Sequence, residues 1–470
     1  MLRIISFEKK KIITALAIII ILFMTVCISC NDFIINFFTK LEMDELSLDY
    51  PETRLLVFAP HNDDETLGCG NLISKVIKSG GKVKLILLTN GDGHTSAVAR
   101  SYLTIKPRAK DYMRSAYVRQ TETENAMRKI GILKDDILYL GYPDGGLYNM
   151  WKENWDENNL FVSNYTKQDY SPYSNSYREN APYCGKNLSE DIEKIMLDFN
   201  PSVVVFPHPN DQHPDHFSTY CFVKYVLEKN KLYPKQLLYL VHRGKWPSPL
   251  GLSSKMFLVP PRELIDLGTQ WMSLPMNNME IIEKSAMIRE YKSQNKVTGP
   301  FLKEFIRQNE LFGIFDDLKY NFDSKDAPAI LLLKAPLNDK LFRKSSISGY
   351  IKEVTLSSDG TSMILHLDTI KIPNEKVSYL LNMCFFSDNG NTFRINAIIN
   401  NGKSISLLKD TSENITPING LKLISNNDIL NIIIPYASIP HFNSILTSAG
   451  TSLNYRIIDR TAWRMIRNEP

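Results

Sequence analysis

Short, mostly apolar runs alternate with helix-period stretches along the first two thirds of this chain. Residues 55–59, 83–89, 137–140, 203–206 and 236–241 are the apolar runs, and each is bounded by turn residues. Runs of this length read as strands buried on both faces. Between them, residues 65–78, 117–130, 188–199 and 215–227 read as helices. Gly80-Gly81 and Gly131 stop the first two. Strand and helix in alternation predict an α/β fold: a Rossmann-like, mostly parallel sheet with helices on both faces. Residues 283–312 continue in helical pattern with a break at Thr298-Gly299-Pro300, which predicts two helices. Lys284, Ile288, Tyr291 and Gln294 fall in the first, and Arg307, Asn309 and Glu310 in the second.

After about residue 325 the texture changes. Apolar runs at 329–333, 347–355, 363–367, 379–386, 393–399, 429–435 and 453–458 are separated by turn signals such as Ser358-Asp359-Gly360 and Asp388-Asn389-Gly390. This predicts an antiparallel β-sandwich. It holds no cluster of histidines and carboxylates, so carbohydrate binding and packing against the first domain are both open for it. At the other end, Lys9, Lys10 and Lys11 precede an apolar run over 12–29, the pattern of an export signal. Ser29-Cys30 resembles a lipoprotein cleavage site, although Cys27 stands where a leucine is usual. A lipid anchor, an uncleaved membrane helix and a cleaved signal are the three readings. Each puts the body outside the cytoplasm, membrane-associated or secreted. The expected organisation is therefore an anchor or signal at 1–30, an α/β domain at 31–325 and a β-sandwich at 326–470.

Composition narrows little. The chain has 470 residues, 43% hydrophobic and 23% charged, with a formal charge of +4. No basic patch argues for nucleic acid. The six cysteines form no close pair beyond the N-terminus, so a thiolate zinc site is not expected. Residues 147–186 break the alternation with a long stretch rich in tyrosine and tryptophan among polar residues. Such a loop either lines a substrate cleft, with aromatic rings against sugar faces, or packs on itself.

The chemistry lies at two strand ends. The strand at 55–59 runs into His61, Asp63, Asp64 and Glu65, and the strand at 203–206 into His208, Asp211, His213, Asp215 and His216. Ligands of parallel sheets bind at the carboxyl ends of strands. A catalytic zinc takes three N/O ligands and keeps one position open. His61, Asp64 and His216 supply such a set, as halves of one divalent-metal site. Asp63 is then a candidate general base for the attacking water. His213 could stabilise an oxyanion or protonate a leaving amine, with Asp215 holding its other nitrogen. His242 ends the strand at 236–241 and points to the same cleft. Imidazole and carboxylate suit several metals, so Fe2+ remains an alternative to one Zn2+ per chain.

The segments PHNDDETLGCG and HPNDQHPDH resemble the two signature motifs of the PIG-L/LmbE-like zinc-dependent de-N-acetylases, with Asn62 at the position where that family usually has proline. The fragments LLTNGDG, Arg119-Gln120-Thr121-Glu122 and YLGYPDGGL resemble its intermediate blocks, over roughly residues 50–315. The resemblance implies His61, Asp64 and His216 as zinc ligands, Asp63 as base, His213 as the electrophilic histidine and Asp215 as its partner. It implies Arg119 and Asp144 as contacts to substrate hydroxyls. By the same likeness the activity would be removal of acetyl from an N-acetylglucosamine-type group, on a glycan or glycoside, with release of acetate. A catalytically inactive carbohydrate-binding surface protein and a metal-dependent phosphoesterase are the competing readings.

Overall fold

The computed structural model describes residues 43–334, 349–370, 376–400, 404–408, 420–426, 428–454 and 456–469. The expected signal or anchor at 1–30 lies outside the described residues. Among those residues, no helix is long and apolar enough to cross a membrane.

The first unit is an eight-stranded sheet. Its strands are β1 (Asp44–Glu45), β2 (Arg54–Ala59), β3 (Lys82–Thr89), β4 (Ile137–Tyr142), β5 (Val203–Pro207), β6 (Lys235–Tyr239), β7 (Gln270–Pro275) and β8 (Asn309–Ile314), ordered β1-β7-β8-β6-β5-β2-β3-β4. From β6 through β4 neighbouring strands are parallel, with Leu55 opposite Val83 and Val203. Only β8 runs against its neighbours. The helices are α1 (Asp64–Lys78), α2 (Thr95–Ser101), α3 (Ala109–Arg128), α4 (Leu147–Lys152), α5 (Gly185–Phe199), α6 (Pro214–Lys229), α7 (Asn278–Ile288) and α8 (Lys292–Lys303). Successive strand side chains point to opposite faces. Leu55 and Val57 accordingly join the cluster formed with α1, α3, α7 and α8, whereas Leu56 and Phe58 join that of α4, α5 and α6. Both faces are covered, which is why the strands read as nearly unbroken apolar runs.

The chain moves from β2 outward through β3 to β4, then returns to β5 on the other side of β2 and continues to β6. The order reverses between β2 and β5. A crevice opens at the carboxyl ends of strands at such a point, and both histidine-bearing turns follow these two strands.

Two expectations need correction here. The helical pattern does not reach residue 312, because Asn309–Ile314 is strand β8. Thr298-Gly299-Pro300 does interrupt the helical run, as expected, but as a kink, and a further break upstream moves Tyr291 and Gln294 out of the first helix. Helix α8 runs through the tripeptide with the kink at Thr298 (φ −114°, ψ 17°), while the break between helices lies at 289–291. The Thr298 hydroxyl donates to Gln294 O at 3.2 Å, satisfying a carbonyl near the kink.

The second unit holds β9 (Leu318–Tyr320), β10 (Ile330–Lys334), β11 (Ile351–Ser358), β12 (Ser362–Thr369), β13 (Val377–Phe386), β14 (Thr392–Asn400), β15 (Ser404–Leu408), β16 (Lys422–Asn426), β17 (Ile429–Pro435), β18 (Ser444–Leu453), β19 (Arg456–Arg460) and β20 (Arg464–Asn468). One sheet is β10-β11-β12-β17-β16. The other is β15-β14-β13-β18-β20-β9, with β19 paired to β18. Val354, Leu365 and Ile432 from the first sheet and Leu381, Met383 and Ile445 from the second share one buried cluster. Strand β9 already belongs to this unit, ahead of the textural change at about 325. The run at 453–458 is not one strand. It crosses from β18 to β19 through Asn454, whose φ is 49°.

The same cluster continues into α4 and α6, so the β-rich unit is docked on one face of the α/β unit. The Arg394 guanidinium lies over Trp151 (4.0 Å) and Trp155 (3.5 Å) and donates to Trp151 O. Trp151, Trp155, Tyr173 and Tyr183 of the aromatic stretch are buried here and in the adjoining core. For these residues packing, not a cleft, explains the composition.

Candidate metal and catalytic centre

Asp63 caps α1 with φ 118°. This is the left-handed region that a β-carbon disfavours, and such strain persists only where surroundings enforce it. The enforcing contacts are visible. Asp63 N–H donates to Glu65 Oε2 at 3.0 Å, and Glu65 accepts a short hydrogen bond from Tyr291 of the α7–α8 junction. Arg119 on α3 donates to Asn62 O, to Gly91 O (2.6 Å) and to Asp63 Oδ2 (3.3 Å). Gly91 has φ +58° and no room for a β-carbon beside that guanidinium. Arg119 thus ties the β2 turn to the β3 turn and holds Asp63. Glu122, on the same helix, accepts from Ser293 N–H and Oγ instead.

Three donors converge below Asp63. Asp64 Oδ2 lies 3.1 Å from His61 Nδ1 and 3.1 Å from His216 Nε2, and the rings of His61 and His216 are 5.3 Å apart. The turns after β2 and β5 therefore meet. Donor atoms of His61, His213 and His216 all lie within 4.8 Å of one another, as do those of Asp64, His216 and His242, and of His61, Asp144 and Asp215. His216 sits in the first turn of α6, behind Pro214 at the first helical position, where the missing N–H costs nothing. Burial disfavours its charged form, but Asp211 and Asp64 raise its pKa to about 9.

The donors fit a divalent cation. His216 Nε2 is buried and faces Asp64 Oδ2 at 3.1 Å without hydrogen-bond geometry, while its Nδ1 is backed by Asp211 at 3.1 Å. A ligating imidazole shows this arrangement, one nitrogen held by a carboxylate and the other aimed at the ion. The cavity that His61, Asp63, Asp64, Asp144 and His213 help to line has a volume of about 370 Å3, and among the described residues Arg119 is the only lysine or arginine on its walls. Three buried or half-buried carboxylates with one guanidinium leave room for positive charge.

Asp215 is where expectation and geometry part. Its carboxylate does not hold His213. Oδ2 lies 3.1 Å from His61 Nε2 and accepts from Gly145 N–H, and Oδ1 accepts from Leu147 N–H. Toward His213 it offers only its backbone, since Asp215 N–H donates to His213 Nδ1 at 3.3 Å. That bond leaves the proton of a neutral His213 ring on Nε2. Burial and the neighbouring His61 and His216 lower its pKa, which favours this neutral donor form over an imidazolium. Asp144 accepts from Gly93 N–H (2.6 Å) and stands 3.5 Å from His61 Nε2. His242 lines the cavity, 4.7 Å from the His216 ring and stacked on Phe301 at 5.5 Å.

Burial raises the Asp63 carboxyl to about 7 against the pull of Arg119. A group poised there can both take and return a proton near neutrality.

Residue type and spacing do not sort the remaining polar neighbours, and the structure does. Asp211 accepts from Val241 N–H, His242 N–H and His213 N–H as well as facing His216. In sequence it belongs to the cluster after the 203–206 strand, where a structural turn role is equally open. His208, equally prominent in sequence, is outside the site: it is buried, 3.0 Å from Thr269 Oγ1 and stacked on Trp271. His94 lines the cavity with Gln294, at 2.5 Å from it. Tyr165 is the one residue of the aromatic stretch that lines this cavity.

Against known proteins, the family model described as PIG-L, GlcNAc-PI de-N-acetylase, matches residues 56–227. No curated protein matches the chain. Similar solved structures include N,N'-diacetylchitobiose deacetylase from Pyrococcus horikoshii, at 18% identity and TM-score 0.36, covering 57% of this chain and 88% of that one. The A40926 pseudoaglycone deacetylase Dbv21 aligns at 16% identity and TM-score 0.37, covering 56% of this chain and 98% of that one. The conserved protein TT1542 from Thermus thermophilus aligns at 19% identity and TM-score 0.32, covering 54% and 84%. Residues 56–227, which contain both histidine-bearing turns, form a PIG-L family domain.

Proposed function

We propose that this protein is a metal-dependent hydrolase that removes the acetyl group from an N-acetylglucosamine-type amino sugar, leaving a free amine and releasing acetate. The observation that carries the reading is the meeting of His61, Asp64 and His216 at the β2/β5 crevice, with Asp63 and His213 lining the same cavity. The family match supports the reaction class. His61, Asp64 and His216 would hold the cation, zinc by preference. When bound it would polarise the acetyl carbonyl and acidify the attacking water.

The chain's own groups then have separate tasks. Asp63 takes the proton as the water oxygen bonds to the acetyl carbon. His213 Nε2–H donates to the carbonyl oxygen as negative charge grows there. As the C–N bond breaks, the Asp63 carboxyl returns its proton to the departing nitrogen. Arg119 keeps Asp63 in register, while Asp144 and His242 stand where sugar hydroxyls would be met. Asp215 and Asp211 orient His61 and His216. We further propose that the protein works outside the cytoplasm, tethered through its N-terminal segment. The lysines before the apolar run and Cys30 support this.

A purified ectodomain should release acetate from N-acetylglucosamine-containing material. Chelation should abolish that release and added zinc restore it. Binding of such material without acetate release, with zinc present, would favour the inactive-binder reading. Two metal ions per chain would favour a phosphoesterase.

A further inference from the structure

The catalytic cavity is followed by two others along the seam between the α/β and β-rich units. Neighbouring chain positions line them in turn. His213 faces the catalytic cavity, and Gln212 and Pro214 on either side of it line a second cavity of about 400 Å3. His242 and Arg243 divide in the same way, as do Gly145 and Tyr148. The far wall of this second cavity is β19, with Ile457, Ile458 and Arg460. A third cavity of about 110 Å3 shares Asn210, Lys334 and Ala462 with the second and reaches Arg464.

The seam is cationic and aromatic. Arg460 lies over Phe217 at 3.6 Å and donates to the backbone carbonyls of Asp211 (2.5 Å) and Pro209 (3.5 Å). Arg464 lies over Phe315 at 3.8 Å, and its buried Nε has no hydrogen-bond partner among the described residues. Lys334 is exposed at the end of β10. Arg243 is paired with Glu263 at 3.3 Å. Of the carboxylates on the same walls, Asp459 accepts from Ile351 N–H and Arg460 N–H, and Asp266 is exposed. Tyr148, beside Phe217, and Ile457 add an apolar surface of the kind a sugar ring covers.

Resting on the deacetylase reading, we propose that this seam binds the rest of the substrate: an oligosaccharide whose units next to the acetylated one carry carboxylate or phosphate groups. The β-rich unit, outside the residues matched by the family, is then a specificity element, since β10, β19 and β20 supply the cations.

Acetate release by the full chain is measured on four probes. These are a methyl glycoside of N-acetylglucosamine, its uncharged tetramer, a tetrasaccharide alternating it with a uronic acid, and a phosphodiester-linked tetramer. One charged tetramer is expected to exceed the uncharged one in kcat/KM by about tenfold at low salt. The choice between the two identifies the anion. Lys334→Glu and Ile457→Asp are expected to erase that advantage through KM, with kcat little altered. Equal rates on charged and uncharged tetramers, or equal losses on glycoside and tetramer, overturn the groove and leave the deacetylase reading standing. If no probe releases acetate, calorimetric titration of the same charged tetramers decides. Binding that weakens in Lys334→Glu keeps the groove and removes the deacetylase reading, whereas no binding removes the groove.

Discussion

Asp63 and Asp64 are adjacent in sequence and opposite in circumstance. Asp64 is held well below the usual carboxylate range by His216 and His61, against its burial, while burial raises Asp63 to about 7. Neighbouring carboxylates pushed apart in this way take different roles, one as ligand and one as proton carrier. Asp63→Asn should keep the metal and lose about 10²- to 10⁴-fold in kcat. Metal analysis beside acetate release checks this, and full turnover would take Asp63 out of the mechanism. Asp211 acts one step back. Asp211→Asn should weaken metal retention about 10- to 100-fold, read by graded chelation, with activity returning at saturating metal. An unchanged chelation curve would leave Asp211 a purely structural turn residue.

At the scale of elements, α1 matters most because it is broken. Cys69 has φ −148° and ψ 20°, so the turn carrying Asp64 is almost separate from the rest of the helix. The backbone groups freed by the break are capped from elsewhere. Glu310 on β8 accepts from Asn71 N–H (2.7 Å) and Leu72 N–H (2.9 Å), and Lys284 on α7 donates to Leu67 O (2.9 Å) and to Glu310 (2.5 Å). Both charged groups are buried, at 1% and 0% exposure. Gly68 completes the arrangement, since a β-carbon there would meet the Tyr239 ring at 2.5 Å. Glu310→Gln strands the Lys284 charge and should cost about 3–5 kcal/mol, measured by denaturant unfolding. A loss under 1 kcal/mol would mean that the brace is dispensable. The pattern of residues 283–312 hid this role, because β8 is short and its glutamate reads as one more helix-forming residue.

For the whole molecule, the question is what fixes the two units together. Lys224 on α6 meets Asp317 at 2.6 Å, and Arg467 on β20 joins Asp317 (2.9 Å) to Glu228 (2.7 Å). Burial would raise the Asp317 carboxyl, but Lys224 and Arg467 hold it below its ordinary value. A depressed carboxylate stabilises the fold at pH values above its unfolded pKa, and that contribution disappears as pH falls through the folded value. Asp317→Asn should therefore destabilise the protein at neutral pH. The loss should fall between the ~1 kcal/mol of an exposed pair and the ~3–5 kcal/mol of a buried one. The gap between variant and parent should close below about pH 4. Thermal melts across that range test it, and a gap that persists in acid would mean the loss is not ionic.

The α/β alternation, the two histidine-bearing strand ends and the strand-rich final third are determined by the sequence alone. Each rests on local pattern: apolar periodicity, glycine stops and charge density near a strand end. What tertiary structure decides is everything that depends on which groups point at one another. Asp215 and Asp211 sit four residues apart, yet one backs His61 across the β2/β5 crevice and the other backs His216 beside it. Spacing along a strand turn cannot state that assignment, because a hydrogen bond is made by position in space and the reversal of strand order sets the position. The same holds for His208, turned into the core, and for β18, whose serines, threonines and glycine give no apolar run and are buried only because sheets stack over them.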